Sequence, residues 1–411
     1  MKIGLPLSLN LFFWGCVSFM RVFWEKFRPP QYSLTQEQLS SLKRQVAVCI
    51  PAHNEETVLE SAIAAITTQI PGQQIYVVSD GSHDATAAIA RRLNCSVLEL
   101  SSGRGKARAL EQLIKKFSLL AKYRYILFID ADTELEPYFV KHALGLFTHE
   151  PEVAAIAAYA IPIWENRRHI SLQNFIAAYR TKLYAILQIF LMYGQTWKYC
   201  NINAVIPGFA AMYPTRVLRK LDLVTPGIVI EDFNLAFQIH KKNLGWIAHF
   251  RAIAARYHDP VNFTDYSAQV RRWNVGFYQT IRKWGVWPSL FWIFTLLFSL
   301  EVALFSLVSL FAPLVFVTSI FFLIVQQFAG FNLFAMFSPY FIGYLEFIVS
   351  IVILDYALTV FIAVKNRAPM LLLWGIGFFL FNLINSWVLL ISIPQGLLTR
   401  STGRWVPAKR A

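Results

Sequence analysis

Residues 125–132 read Tyr-Ile-Leu-Phe-Ile-Asp-Ala-Asp, five apolar residues followed by two carboxylates one residue apart. The apolar run reads as a buried strand, and a strand places residues i and i+2 on one face. Asp130 and Asp132 can therefore address one hard cation. Mg²⁺ and Mn²⁺ take oxygen ligands, commonly one or two carboxylates, and leave substrate phosphates to complete the shell. A bare Asp-x-Asp is frequent by chance, so its weight comes from its surroundings.

Upstream, residues 46–50, 75–79 and 97–100 also read as strands, and to about residue 245 such runs alternate with helical patterns. That alternation marks βα units around a mostly parallel sheet. The first strand ends in Pro51-Ala52-His53-Asn54-Glu55-Glu56 and the second in Ser79-Asp80-Gly81-Ser82-His83-Asp84. Either turn alone is an ordinary polar helix start with a capping Asn or Asp. In open α/β sheets, however, ligands bind at the carboxyl ends of the strands, so these turns should converge with Asp130 and Asp132 on one site. Between them lies Gly103-Arg104-Gly105-Lys106-Ala107-Arg108-Ala109-Leu110, a basic helix start suited to phosphate oxygens. It matches neither the P-loop nor the G-x-G-x-x-G dinucleotide pattern.

Downstream, Val229-Ile230-Glu231-Asp232 puts two acids at the head of a helical stretch, where they serve as dipole caps or as reactive groups. Gln269-Val270-Arg271-Arg272-Trp273 follows. On a helix Gln269, Arg272 and Trp273 share a face. Arg can clamp a diphosphate and Trp can stack on a sugar ring, while the same pair also serves as an interfacial membrane anchor.

The chain is 56% apolar and 16% aromatic over 411 residues, more than a soluble globule needs. Lys and Arg are frequent between residues 43 and 283, yet residues 288–363 hold none. A soluble domain followed by a membrane domain is expected. Residues 3–20 form an apolar segment just long enough for an anchor, with no small-x-small cleavage site after it. Arg21, Lys26, Arg28, Lys43 and Arg44 follow and put that side in the cytoplasm. Four apolar windows, residues 289–308, 310–328, 339–363 and 370–392, read as four spanning helices. Glu301, Glu346 and Asp355 lie within them, as structural pairs or as the lining of a polar path. The expected division is an anchor at 1–28, a cytoplasmic catalytic domain at 45–284, spanning helices at 285–396 and a basic cytoplasmic tail at 397–411. The net charge of +14 suits cytoplasmic loops of a membrane protein, so nucleic acid is not an expected partner. The four cysteines are scattered without zinc-ligand spacing and read as reduced thiols.

Taken in order, the six polar segments at 51–55, 79–82, 103–110, 130–132, 230–232 and 269–273 resemble the family-2 glycosyltransferases. The resemblance is specifically to the membrane-integrated branch containing cellulose, chitin, hyaluronan and poly-N-acetylglucosamine synthases. That resemblance implies an α/β GT-A catalytic domain, Rossmann-like with a mostly parallel sheet, joined to an α-helical transmembrane domain. It implies a UDP-sugar donor, Mg²⁺ or Mn²⁺, and inversion at the anomeric carbon. Pro51, Ala52, Glu55 and Asp80 would hold the nucleotide, with Lys106, Asp130, Gln269 and Arg272 also on the donor. Asp130 and Asp132 would hold the metal, and Glu231 and Trp273 would meet the acceptor. A glycosyl transfer needs a carboxylate to take the acceptor hydroxyl proton, and Asp232 is the best-placed candidate. Residues 206–211 match an acceptor-side segment loosely. His53 replaces the family's usual Tyr, and Ile230 the Thr often before Glu-Asp; neither change removes a catalytic group. The expected acceptor is a growing polysaccharide made at the plasma membrane by a multi-pass protein, with an accessory subunit conceivable for secretion. The same Gln-x-x-Arg-Trp ending also occurs in enzymes resembling ceramide glucosyltransferase, so the alternative is single-sugar transfer to a membrane lipid.

Overall fold

The computed structural model describes residues 8–164, 169–329 and 333–401. Its strands are β1 Val46–Ala52, β2 Ile75–Asp80, β3 Ser96–Leu100, β4 Tyr125–Ile129, β5 Glu134–Leu135, β6 Val153–Ala157, β7 Tyr159–Pro162, β8 Ala210–Pro214, β9 Trp246–Ala248 and β10 Ala254–Tyr257. Seven form one sheet in the order β3-β2-β1-β4-β8-β6-β9. β1 runs parallel to β2 and β4, and β2 parallel to β3, so four strands end at one edge. β8 is antiparallel to β4 with Ala210 opposite Ile129. Its reversed direction brings the residues just before it, Gly208 and Phe209, to the edge where β4 ends.

Both faces of this sheet are buried. Val46, Val48 and Ile50 of β1 enter one core layer while Ala47 and Cys49 enter the other, and Tyr125, Leu127 and Ile129 of β4 alternate likewise with Ile126 and Phe128. Period-two side-chain placement between two apolar layers explains why these strands read as uninterrupted apolar runs. A smaller sheet, β5-β10-β7, carries the chain from Tyr257 to His258 and Asp259.

The N-terminal segment is a helix, Leu9–Phe27. Its polar side faces the protein: Asn10 bonds Glu301 and Arg21 donates to the Tyr193 carbonyl at 2.6 Å, whereas Phe12, Phe19, Phe23 and Phe27 are exposed. An exposed aromatic face with buried polar groups is the arrangement of a helix in an apolar solvent.

Two features depart from the sequence reading. Residues 172–195, placed there within a cytoplasmic domain, form one helix of 24 residues, long and apolar enough to cross a membrane. It continues through a π-helical turn, Leu187–Met192. Windows 289–308 and 310–328 belong to a single helix, Leu290–Ala329, with Pro313 inside it. Nothing at residue 309 stops a helix, and an apolar environment keeps backbone bonds internal even around a proline. Window 339–363 lies in the helix Leu333–Lys365, and 370–392 divides into Met370–Gly375 and Phe378–Leu398. Among the described residues the C-terminal region therefore holds three long helices where four were expected. Residues 402–411 of the basic tail lie outside the described residues.

The helix Phe263–Trp284, capped by Asn262 and ended by Gly285 at φ +64°, packs along Phe378–Leu398. Gly396 permits their close approach, since a Cβ there would lie 2.6 Å from Tyr278 Cβ. Beyond this helix Ser401 bridges to Gly227, in the loop leading to Glu231.

Candidate active site

The turns at the sheet's carboxyl edge are bonded to one another. The Asp80 carboxylate accepts the backbone N–H of Arg104 and of Gly105, each at 2.8 Å. Its carbonyl accepts from His53 Nδ1 at 2.6 Å. Gly81 sits at φ +71°, and a Cβ there would lie 2.5 Å from the Gly103 nitrogen. Asn54 Oδ1 accepts the His83 N–H at 2.9 Å, and the Glu55 N–H reaches Thr86 Oγ1 at 2.9 Å. Pro51, Ala52, buried Glu55 and buried Asp80 thus form one side of the site, fixed by the second turn and by the glycine-containing loop.

Lys106 is the centre. It opens the helix Lys106–Phe117, whose apolar side, Ala109, Leu110, Leu113 and Ile114, is buried against the sheet. Its Nζ lies 2.8 Å from Asp130 Oδ1 and 2.9 Å from Glu231 Oε1, and donates to the Gly208 carbonyl at 2.9 Å. Burial alone would lower the pKa of the ammonium, but the Asp130 and Glu231 carboxylates hold it well above its usual range. Against the opposing effect of burial, Lys106 keeps the Glu231 carboxyl below its usual value. Asp232 is pushed up to about 7 by burial and by the adjoining Glu231 charge. Asp232, Glu231 and Asp130 also face Arg272 electrostatically. Gly208 fits among them because it has no side chain: a Cβ would lie 2.4 Å from Asp232 Oδ1 and 2.6 Å from Lys106 Nζ.

β4 ends at Ile129, and residues 130–133 form a turn closed by the Thr133 N–H on the Asp130 carbonyl at 3.1 Å. The turn, rather than strand alternation, sets the two aspartates: Asp130 faces Lys106, and Asp132, 9% exposed, lies within electrostatic reach of Asp259. Asp259 pairs with Arg180 at 2.8 Å, and both are buried. Arg180 also bonds Gln269 and lies over the Trp273 ring, 4.8 Å from its centroid. Gln269 and Trp273 therefore meet on Arg180, while Arg272 between them lies within electrostatic reach of the Asp232, Glu231 and Asp130 carboxylates. Arg180 and Asp259 were missed by sequence reasoning. Cations within an otherwise apolar helix, Arg180 and Lys182, were the available signal for Arg180; Asp259 gave none.

The donor chemistry fits a divalent cation. Asp130 and Asp132 offer oxygen ligands, and they lie close enough that the Asp132 charge, after burial, helps raise the pKa of the Asp130 carboxyl, a repulsion a cation between them would relieve. Two carboxylates with the remaining positions left to phosphate oxygens is the arrangement magnesium commonly adopts.

Residues 47–221 match the family model Glycosyl transferase family 2. Over 240 residues the chain is 22% identical to the poly-beta-1,6-N-acetyl-D-glucosamine synthase of Staphylococcus epidermidis, covering 57% of this chain and 55% of that protein. To the synthase of the same name from Staphylococcus aureus it is 22% identical over 200 residues, covering 47% and 45%. The chain thus spans about half the length of the curated relatives it matches. Among solved structures, a mannosyltransferase from Pyrobaculum calidifontis in complex with GDP-Man and Mn²⁺ superposes with a TM-score of 0.50 at 14% identity, over 95% of this chain and 98% of that one. That likeness extends over the sheet and the helices together and establishes the fold. Strand order, edge cluster and matched segment agree, and the chain carries a glycosyl transferase family 2 domain of GT-A fold.

Proposed function

We propose that the chain transfers a sugar, with inversion, from a UDP-sugar to a growing polysaccharide resembling poly-N-acetylglucosamine. The observation that carries the catalytic reading is the Lys106 cluster, which holds Glu231 ionised and leaves Asp232 near neutrality beside Arg272. Carboxylates with neighbouring but unlike pKa values divide their roles by environment. Here Glu231 stays a fixed charge, and Asp232 exchanges the proton.

In a direct displacement, the acceptor hydroxyl oxygen attacks the anomeric carbon as the bond to UDP breaks. Asp232 takes the hydroxyl proton, and Arg272 opposes the charge gathering on the departing diphosphate. Asp130 and Asp132 would hold Mg²⁺ or Mn²⁺, which when bound supplies further positive charge at the diphosphate. The bonded turns around Asp80 keep the nucleotide side rigid, so orientation is set before chemistry begins. Positive charge in the last turn of the first helix and just beyond it, Lys26, Arg28, Lys43 and Arg44, supports a cytoplasmic catalytic domain. Polymer synthesis rests on the poly-N-acetylglucosamine synthase relatives. A plasma membrane site and an accessory secretion subunit accompany that reading.

The second reading, transfer of one sugar to a membrane lipid, is favoured by one feature: Gln269 and Trp273 pack on a helix apolar enough to span a bilayer. Purified protein in lipid nanodiscs with Mn²⁺ and labelled UDP-sugars separates the two. The expected product is large, water-soluble and degraded by a single glycosidase. Label that extracts with lipid as a one-sugar adduct would overturn the polymer reading.

A further inference from the structure

The helix Phe263–Trp284 has a second working face. Gln269 and Trp273 turn toward Arg180, and Arg272 lies within electrostatic reach of the carboxylates, whereas Phe263, Ser267 and Arg271 line an open groove. Its other walls come from Leu310, Leu383 and Trp387, on two helices long and apolar enough to cross a membrane. The groove holds about 660 Å³, within the range of roughly 300–1,000 Å³ typical of sites for small organic molecules.

Two polar groups interrupt the apolar lining. Ser267 Oγ is enclosed and has no hydrogen-bond partner among the described residues. Arg271 is exposed; its Nε donates to Gln395 Oε1 at 2.9 Å, and no described carboxylate pairs with it. A guanidinium without a counter-ion, at the margin of a trough made from membrane helices, matches an amphiphile with an apolar chain and an anionic phosphate. A zwitterionic head would bring its own ammonium beside Arg271, so the charge favours a net-negative lipid.

We propose that this groove binds one anionic phospholipid of the bilayer, its phosphate on Arg271 and one acyl chain along Leu383 and Trp387. Arg271 and the active-site residues lie on different sides of the same helix, so this lipid is an accessory ligand rather than the sugar acceptor. The site is independent of which acceptor the enzyme uses.

The test uses Trp387, 59% exposed, as reporter. The full chain is placed in phosphatidylcholine nanodiscs containing a minor fraction of acyl-brominated phosphatidylglycerol or, separately, acyl-brominated phosphatidylcholine. Quenching that disappears in Trp387→Phe isolates this tryptophan from the others. Brominated phosphatidylglycerol should be enriched roughly fivefold at Trp387, the factor expected for one basic residue meeting an anionic lipid. Arg271→Gln should reduce it to the phosphatidylcholine level, and Lys283→Gln, which removes an exposed cation near the other end of the helix, should not. Equal quenching by the two lipids, or an unchanged preference in Arg271→Gln, would overturn the proposal. So would relief of the quenching by stoichiometric polyprenyl phosphate, which would make the groove an acceptor site instead.

Discussion

At the scale of single residues, Asp232 and Gly208 make the sharpest demands. Asp232→Asn keeps the shape but removes the base, so turnover should fall by about 10²–10⁴-fold, with UDP affinity by calorimetry nearly unchanged. Because Asp232 acts when deprotonated and burial with the Glu231 charge pushes its pKa up to about 7, kcat/KM should decline as pH drops below that value. A pH profile flat between 5 and 8 would remove Asp232 from the role. Gly208→Ala puts a methyl group where Asp232 Oδ1 and Lys106 Nζ meet, and the carboxylates must separate. Turnover should drop more than about tenfold, since sub-ångström placement governs such sites, while thermal unfolding changes little. Asp80, Lys106, Asp130 and Asp232 were legible because each ends a strand or begins a helix, where side chains face a common edge. Gly208 was quoted in its segment, but its place among three charges follows from the antiparallel direction of β8, which no local pattern announces.

Among elements, the helix containing Arg180 joins the two parts of the protein. Arg180 points toward Asp259, Gln269 and Trp273, and Lys182, two residues on, pairs with Asp355 in Leu333–Lys365. Arg180→Ala would leave Asp259 as an uncompensated buried charge, which costs about 3–5 kcal/mol. A lower melting temperature in nanodiscs, with weaker acceptor saturation than donor saturation, is the expected result. Lys in its place should restore part of the stability but not the acceptor KM, because it lacks the planar fork that engages Asp259 and Gln269 together. The sheet was readable from its apolar runs, since two buried faces leave no alternation to misread. This helix was not, because Arg180 and Lys182 interrupt its apolar text and the ion pairs that neutralise them come from distant residues. The joining of residues 289–328 into one helix was hidden for the opposite reason: hydropathy varies smoothly there, so window boundaries carry no physical stop.

For the whole molecule, the long apolar helices after residue 289 were visible in the absence of Lys and Arg from residues 288–363. The way the parts interlock was not. Chelation of divalent cations with EDTA should abolish turnover and addition of Mn²⁺ or Mg²⁺ should restore it; Asp132→Ala should resist that rescue. Turnover unaffected by the chelator would remove the metal from the scheme, leaving Arg272 and Lys106 as the described cations at the site. The bridge between Ser401 and Gly227 gives assembly a direction. The loop before Glu231 precedes the long helices Leu290–Ala329, Leu333–Lys365 and Phe378–Leu398 in the chain, yet its partner at residue 401 follows all three. A nascent chain halted before the helix Phe378–Leu398 would carry the charged side chains of the site and still lack this bond to the loop before Glu231.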